Sequence, residues 1–168
     1  MKNKNSSTSH KKVVIQLFDA EPIRGYLNPA RLGLDETIDL LTVDGEHQEV
    51  PQRGVKGIYF VREFTDHFEP ERKAFLSRPK LDGLWVRLKF RDDDVLEGVV
   101  ANNLLSLLDH GVQITPPDLH GQTPRIFIPR TAITEMTVLG VVGVARRGAR
   151  RAAAAAAGQP TLFKEEVG

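Results

Sequence analysis

The sequence predicts an all-β protein built as two tandem five-stranded small barrels, joined by a short helical linker and flanked by disordered ends. Three observations carry this. First, residues 84–98, LWVRLKFRDDDVLEG, alternate Val86, Leu88 and Phe90 with Arg87 and Lys89, the period-two pattern of a half-buried strand. An acidic turn at 91–94 follows, and Val95, Leu96 and Gly98 carry the return. Second, residues 12–25, KVVIQLFDAEPIRG, repeat the pattern with Val13, Ile15 and Leu17 in the alternating places. Third, the two halves align in gap-free blocks. Val13, Ile15, Leu17, Ile23 and Gly25 map onto Val86, Leu88, Phe90, Leu96 and Gly98 at an offset of 73. Val50, Pro51, Val55, Ile58 and Phe60 map onto Ile128, Pro129, Ile133, Met136 and Val138 at an offset of 78. Matched glycines and a shared Val/Ile-Pro turn point to duplication.

The elements follow in order. Residues 1–11 are polar, rich in serine and lysine, and read as a disordered arm. The first unit, 12–61, begins with strands at 13–18 and 23–27, separated by a turn that Pro22 punctuates. Residues 28–36 form a loop. Strands at 37–43 and 46–50 flank Asp44-Gly45, the strongest hairpin signal in the chain. A short turn at 51–54, with room for one turn of 3₁₀, leads to a fifth strand at 55–61. Residues 62–83 break the strand pattern with five basic and five acidic residues. Pro70 followed by ERKAFLS suits a short helix, because proline is tolerated in a first turn. Phe64, Phe68, Phe75 and Leu76 are placed to pack this linker onto the units. The second unit, 84–140, has strands at 84–90, 95–98, 112–115, 125–128 and 133–139, with a connector at 102–110 and a polar loop at 116–124. Residues 141–168 read as a disordered tail rich in arginine and alanine.

Five short strands in about 50 residues, with a glycine where the second strand bends, resemble the SH3-like and Sm-like small barrels. The whole chain also looks like an uncharacterised bacterial family carrying two such units. The first resemblance implies a fold and little of function. The Sm family's Arg-Gly or Lys-Gly pair after an Asn-containing turn is missing. Gln52-Arg53-Gly54 comes nearest, and Arg130-Thr131 lacks the glycine.

Composition narrows the function. Cysteine is absent, which excludes a disulfide scaffold and thiolate metal sites and fits a reducing cytoplasm. No apolar stretch follows MKNKNSSTSHKK, so no secretory signal is expected. The apolar run 138–145 is far short of the roughly 20 residues a membrane-spanning helix needs. A cytoplasmic protein without a membrane partner is therefore expected. The net charge of +1 hides a division: residues 1–12 carry +4, residues 13–145 carry −6 and residues 146–168 carry +3.

No catalytic pattern assembles. The chain has no phosphate-binding glycine loop, no G-x-S-x-G and no H-E-x-x-H, and nothing calls for a cofactor. An enzyme is not expected. Asp109, His110, Asp118 and His120 sit in two loops of the second unit and offer the ligand types of a carboxylate–imidazole metal site, although polar loop residues account for them as well. Asp92, Asp93 and Asp94 read as a solvated turn. Arg146 and Arg150 have the R-x-x-x-R spacing of the PilZ family, but its D/N-x-S-x-x-G is missing.

The most specific short signal is Gln159-Pro160-Thr161-Leu162-Phe163. It resembles the Q-x-x-L-F peptide by which bacterial DNA polymerases and repair proteins bind the sliding clamp. The resemblance implies that Gln159 would hydrogen-bond in a small pocket while Leu162 and Phe163 fill an apolar cleft. The sequence reading is therefore a non-enzymatic protein-interaction adaptor with a protein partner such as the sliding clamp. One alternative is a nucleic-acid accessory protein, binding weakly and without sequence preference through Lys2, Lys4, Lys11, Lys12, Arg146, Arg147, Arg150 and Arg151. The other is a small-molecule or metal sensor built on the loops of the second unit.

Overall fold

The computed structural model describes residues 9–68, 72–103, 105, 110–118 and 121–143. The first half holds strands β1 (Lys11–Leu17), β2 (Ile23–Leu27), β3 (Thr37–Thr42), β4 (His47–Pro51) and β5 (Val55–Phe60). The second half holds β6 (Gly83–Phe90), β7 (Val95–Val100), β8 (Gly111–Thr115), β9 (Arg125–Pro129) and β10 (Ile133–Val142). Short 3₁₀ turns at Pro29–Arg31, Gln52–Gly54 and Arg130–Ala132 are the other regular elements among the described residues.

The all-β class is as the sequence predicts. The arrangement is not two separate barrels in tandem. All ten strands form one antiparallel sheet in the order β10-β6-β7-β8-β9-β5-β1-β2-β3-β4. Each half runs fifth, first, second, third, fourth, and β5 pairs with β9 to join them, Ile58 opposite Phe127, Tyr59 opposite Ile126 and Phe60 opposite Arg125. Among the described residues no ladder closes either half. The reason is that the fifth strand of the first half has its free edge taken by the second half.

The joint also explains the core. Val13, Ile15, Leu40, Val55, Ile58 and Phe60 belong to one apolar cluster. Val14, Tyr59 and Val61 turn the other way and join the cluster of the second half, with Val86, Leu88, Ile114 and Ile126. Successive strand residues point to opposite faces, so a strand between two cores is buried throughout. β5 is such a strand, with all six residues buried.

Several boundaries differ from the sequence reading. β1 starts at Lys11, inside the expected disordered arm, because Lys11 and Lys12 pair with Leu27 and Tyr26 of β2. β10 runs two residues past 140, since Val141 and Val142 still pair with Leu84 and Gly83. The expected linker helix is not found over 72–82, where the chain has bends and irregular structure; residues 69–71, including Pro70, lie outside the described residues. The linker's backbone is engaged elsewhere: Glu97 N–H donates to the Lys73 carbonyl at 2.7 Å, and Phe75 N–H donates to the Glu97 carboxylate at 3.0 Å. The expected helical turn at 102–110 falls mostly on residues outside the description.

Both matched glycines sit where strands approach closely. A β-carbon on Gly98 would lie 2.8 Å from Ile114 Cδ1, and one on Gly25 would lie 2.9 Å from the Leu40 side chain and closer still to the Leu41 carbonyl oxygen. Gly54 has nothing within 4 Å of that position. Gly25→Ala is therefore expected to lose about 1–3 kcal/mol through overpacking. Gly54→Ala should stay within about 0.5 kcal/mol of wild type. Urea denaturation of the two variants checks the contrast.

Candidate functional site

The chemistry of this chain gathers where the two halves and the linker meet. Strand β5 carries a lysine among apolar residues. At Lys56 the ladder between β1 and β5 skips one residue, pairing Gln16 with Gly57 and Leu17 with Val55. Such a bulge breaks the two-residue alternation and re-aims the side chain. Lys56 Nζ donates to Asp92 Oδ2 at 2.7 Å and to Asp94 Oδ2 at 2.8 Å, both in the turn between β6 and β7. Its ammonium also lies over Phe90, 5.1 Å from the ring centre, and Phe18 lies on another side at 5.8 Å. Lys73 of the linker binds the other oxygen of Asp94. Arg91 stacks 4.0 Å from the centre of Phe18 and donates to the Arg53 carbonyl.

With Lys89 paired to Asp93 at 3.3 Å, the acidic turn is therefore the counter-charge for three lysines and not simply a solvated turn. Burial works against the charge on Lys56, but the hydrogen bonds it donates to Asp92 and Asp94, with their negative charge, outweigh it and hold its pKa above the ordinary value. Burial likewise opposes the charge on Asp94, yet Lys56, Lys73 and the Val95 N–H pull its pKa down from 3.8 to about 2. Asp93 takes a left-handed φ of 66°, which keeps the turn tight.

A second polar anchor is Glu97, buried on β7. Its carboxylate accepts from Phe75 N–H, from Trp85 Nε1 at 3.2 Å and from an Arg87 guanidinium nitrogen at 3.0 Å. Burial pushes its pKa up, and these three donors bring it below the ordinary value. Aromatic contacts complete the docking of the linker, as the sequence suggests for three of four residues. Phe64 meets Tyr26 edge-on, Phe68 meets Tyr59, and Phe75 meets Trp85. Leu76 stays 83% exposed.

Between linker and joint lies a cavity of about 170 Å³, lined by Tyr59, His67, Phe68, Arg72, Leu96 and Asp118 among others. Tyr59 is buried, which raises its pKa, and its hydroxyl donates to Gln16 Oε1 at 3.0 Å. Asp118 accepts from the Thr123 N–H. Of the residues considered for a metal, Asp118 lines this cavity, whereas His110 lines a separate groove with Leu32 and Phe127. Asp109 and His120 lie outside the described residues. Among the described residues no group of three or more His, Asp or Glu is placed to hold a metal.

The remaining expected sites divide as follows. Gln159, Leu162 and Phe163 lie outside the described residues, as do Lys2, Lys4, Arg146, Arg147, Arg150 and Arg151. Lys11 lies in β1. Lys12 is engaged within the protein: its ammonium pairs with Glu63 Oε2 at 2.9 Å. It is thus committed to the linker and not to an arm. The sequence reading missed Lys56 and Glu97. The signal was there for Lys56, since a lysine inside VKGIYF needs a partner if that strand is buried. Nothing in the sequence singles out Glu97.

The two ends of the sheet complete the inventory of surfaces. Among the described residues β4 pairs only with β3, and β10 only with β6. Val138 and Val141 on β10 are exposed, Val138 to 54%. Among the described residues no helix is long and apolar enough to cross a membrane.

Two outcomes check the anchors. Lys56→Met leaves Asp92 and Asp94 without their shared cation and should cost roughly 1–2 kcal/mol, below the roughly 3–5 kcal/mol of a fully buried pair because both carboxylates keep some water. A depressed carboxylate pKa gives stability that is present above the unfolded value and lost as pH falls through the folded value. Wild-type stability should therefore fall as pH drops from 3.8 through about 2, and the variant should show a shallower fall in acid-dependent urea titrations. Glu97→Ala should free the linker, raising the rate of proteolytic cleavage within 72–82 by roughly tenfold. It should also shift the emission of Trp85, the only tryptophan.

Searches of curated proteins and of solved structures return no match. A family model matches residues 9–140, the span from just before β1 to within β10 and most of the chain. The chain therefore belongs to the family of unknown function DUF6982.

Proposed function

We propose that this protein is a non-enzymatic cytoplasmic adaptor for protein–protein contact. In this reading each half is a small five-stranded unit of the SH3-like or Sm-like kind, opened and fused edge to edge. The repeated strand order, fifth-first-second-third-fourth, supports that ancestry. The observation that carries the function is the pair of open sheet ends. An edge strand presents a row of backbone donors and acceptors, and natural proteins either cover such edges or use them to add a strand from a partner. Here neither β4 nor β10 has a second strand partner among the described residues, and Arg78 engages β10 only near its far end, at the Val141 carbonyl. The single continuous sheet sets these two edges at its opposite ends, and the described parts of the linker are held onto it by Glu97 and three aromatic contacts.

The tail supplies the second contact. Gln159, Leu162 and Phe163 are the residues proposed to dock on a partner such as the DNA sliding clamp. The alternative, weak nucleic-acid binding, draws on the basic termini alone, because residues 13–145 carry −6. A small-molecule sensor is favoured by one observation, the 170 Å³ cavity at the joint.

Titration of the full chain with the host's sliding clamp, with a single-stranded oligonucleotide as the parallel ligand, tests the tail. Clamp binding should persist at moderate salt, and Leu162→Ala with Phe163→Ala should weaken it by about 30-fold or more. Equal binding by wild type and variant, or oligonucleotide binding alone that collapses with salt, would overturn the clamp reading.

A further inference from the structure

The joint inside this molecule is a template for a contact between molecules. It pairs the fifth strand of one half, β5, with the fourth strand of the other, β9. These two edges differ, so the interface is heterologous and uses up one edge of each kind. What remains at the two ends of the sheet is the same combination: a fourth strand, β4, and a fifth strand, β10.

The equivalence holds residue by residue. At the offset of 78, His47, Gln48 and Glu49 correspond to Arg125, Ile126 and Phe127, and Ile58, Tyr59 and Phe60 correspond to Met136, Thr137 and Val138. The 3₁₀ turns at Gln52–Gly54 and Arg130–Ala132 correspond as well. So does the bulge: the ladder between β6 and β10 skips Thr134 as that between β1 and β5 skips Lys56. Beyond the bulge the registers agree, with Ile58 opposite Ile15 and Met136 opposite Leu88.

Backbone parity also agrees. Antiparallel partners alternate between hydrogen-bonded and non-bonded pairs. Thr42 N–H donates to Glu46 O, and Gln52 N–H donates to Glu36 O, which brackets the β3–β4 ladder. Gln48 and Val50 therefore bond inward, and His47 and Glu49 present their N–H and C=O outward. On β9 the bond from Arg130 N–H to His110 O sets the same parity, so Arg125 and Phe127 face β5. On β5 the bond from Val61 N–H to Lys12 O leaves Ile58 and Phe60 facing β9. Met136 and Val138 are their counterparts on β10.

We propose that copies of this chain associate head to tail, β10 of one molecule adding to β4 of the next, with Met136 opposite Glu49, Thr137 opposite Gln48 and Val138 opposite His47. The proposal rests on the reading of the sheet ends as interaction surfaces. The exposed Val138 then enters the place that Phe60 holds in the joint, where it is buried and stacked by Arg125 at 4.3 Å. The second bulge of β10, between Val138 and Gly140, lies beyond the pairing stretch and does not interrupt it. Side chains set the strength. The joint packs Ile58, Tyr59 and Phe60 against Arg125, Ile126 and Phe127, while the ends offer Met, Thr and Val against His, Gln and Glu. The association is therefore reversible and concentration-dependent, weaker than the joint it copies.

Edge prolines test it. Glu49→Pro and Val138→Pro each remove an outward N–H and leave the internal ladder intact, as Pro51 already does at the same parity on β4. In sedimentation equilibrium the full-length wild type should rise above the monomer mass of 18.7 kDa with concentration. Each variant alone should stay monomeric with unchanged circular dichroism. Their mixture should form a one-to-one dimer and nothing larger, because it keeps one intact edge of each kind. Should either proline disturb folding, Val138→Glu, a surface change that sets another acid against Glu46 and Glu49, should still weaken the wild-type association at least tenfold. A wild type that stays monomeric at every concentration, variants that associate alone, or a mixture that stays monomeric would each overturn the proposal. Clamp binding retained by a monomeric wild type would sink self-pairing alone, whereas association without clamp binding would sink only the reading of the tail.

Discussion

The ladder between β5 and β9 is the constraint on which the rest of this structure depends. It places one strand between two apolar cores, and that strand must then be apolar on both faces. Val55, Ile58, Tyr59 and Phe60 meet the demand, and Gly57 lets the ring of Tyr59 lie close by. Lys56 is the exception, and the bulge accounts for it. At the equivalent bulge in β10, Thr134 donates its hydroxyl to the Lys89 carbonyl of the neighbouring strand. The same backbone device thus serves two ends: in one half it sends a cation across to the other half, and in the other it caps an adjacent strand.

The linker follows from the joint. With the halves fixed edge to edge, residues 62–68 and 72–82 meet a surface that offers a buried carboxylate and aromatic rings. Glu97 takes the N–H of Phe75, and the Lys73 carbonyl takes the N–H of Glu97. These bonds replace the ones an isolated helical turn would make, and a single turn has little stability of its own to oppose them. Lys73 then reaches Asp94, so the linker, the acidic turn and β5 share one charged cluster.

Joining the two repeated halves leaves an asymmetry. One fourth strand and one fifth strand are consumed inside the molecule, and their counterparts remain at its ends. The consumed strands are rich in Ile, Tyr and Phe, while β4 carries His47, Gln48 and Glu49 outside its single buried Val50. Polar and charged residues on an open edge restrain indiscriminate pairing. The body is also acidic, and the basic charge is concentrated in the termini.

Much of this was legible in the sequence. Period-two alternation marked nearly every strand, because one buried face is enough to impose it. The matched apolar positions and the shared Val/Ile-Pro turn fixed the offsets of 73 and 78, and Gly25 and Gly98 marked close approaches that the folded chain does contain. Those signals are local: each depends on residues a few positions apart. The pairing of β5 with β9 is not local, since it joins partners 65 to 69 residues apart, from Phe60 with Arg125 to Ile58 with Phe127. Alternation gives the buried face of a strand but says nothing about which edge it will share. The roles of Lys56, Asp92, Asp94 and Glu97 depend on that edge. The sequence by itself determined the strands, their turns and their twofold repetition. Only the tertiary structure decided that two repeats become one sheet, because backbone hydrogen bonds at a strand edge are the same for every residue and only packing selects among them.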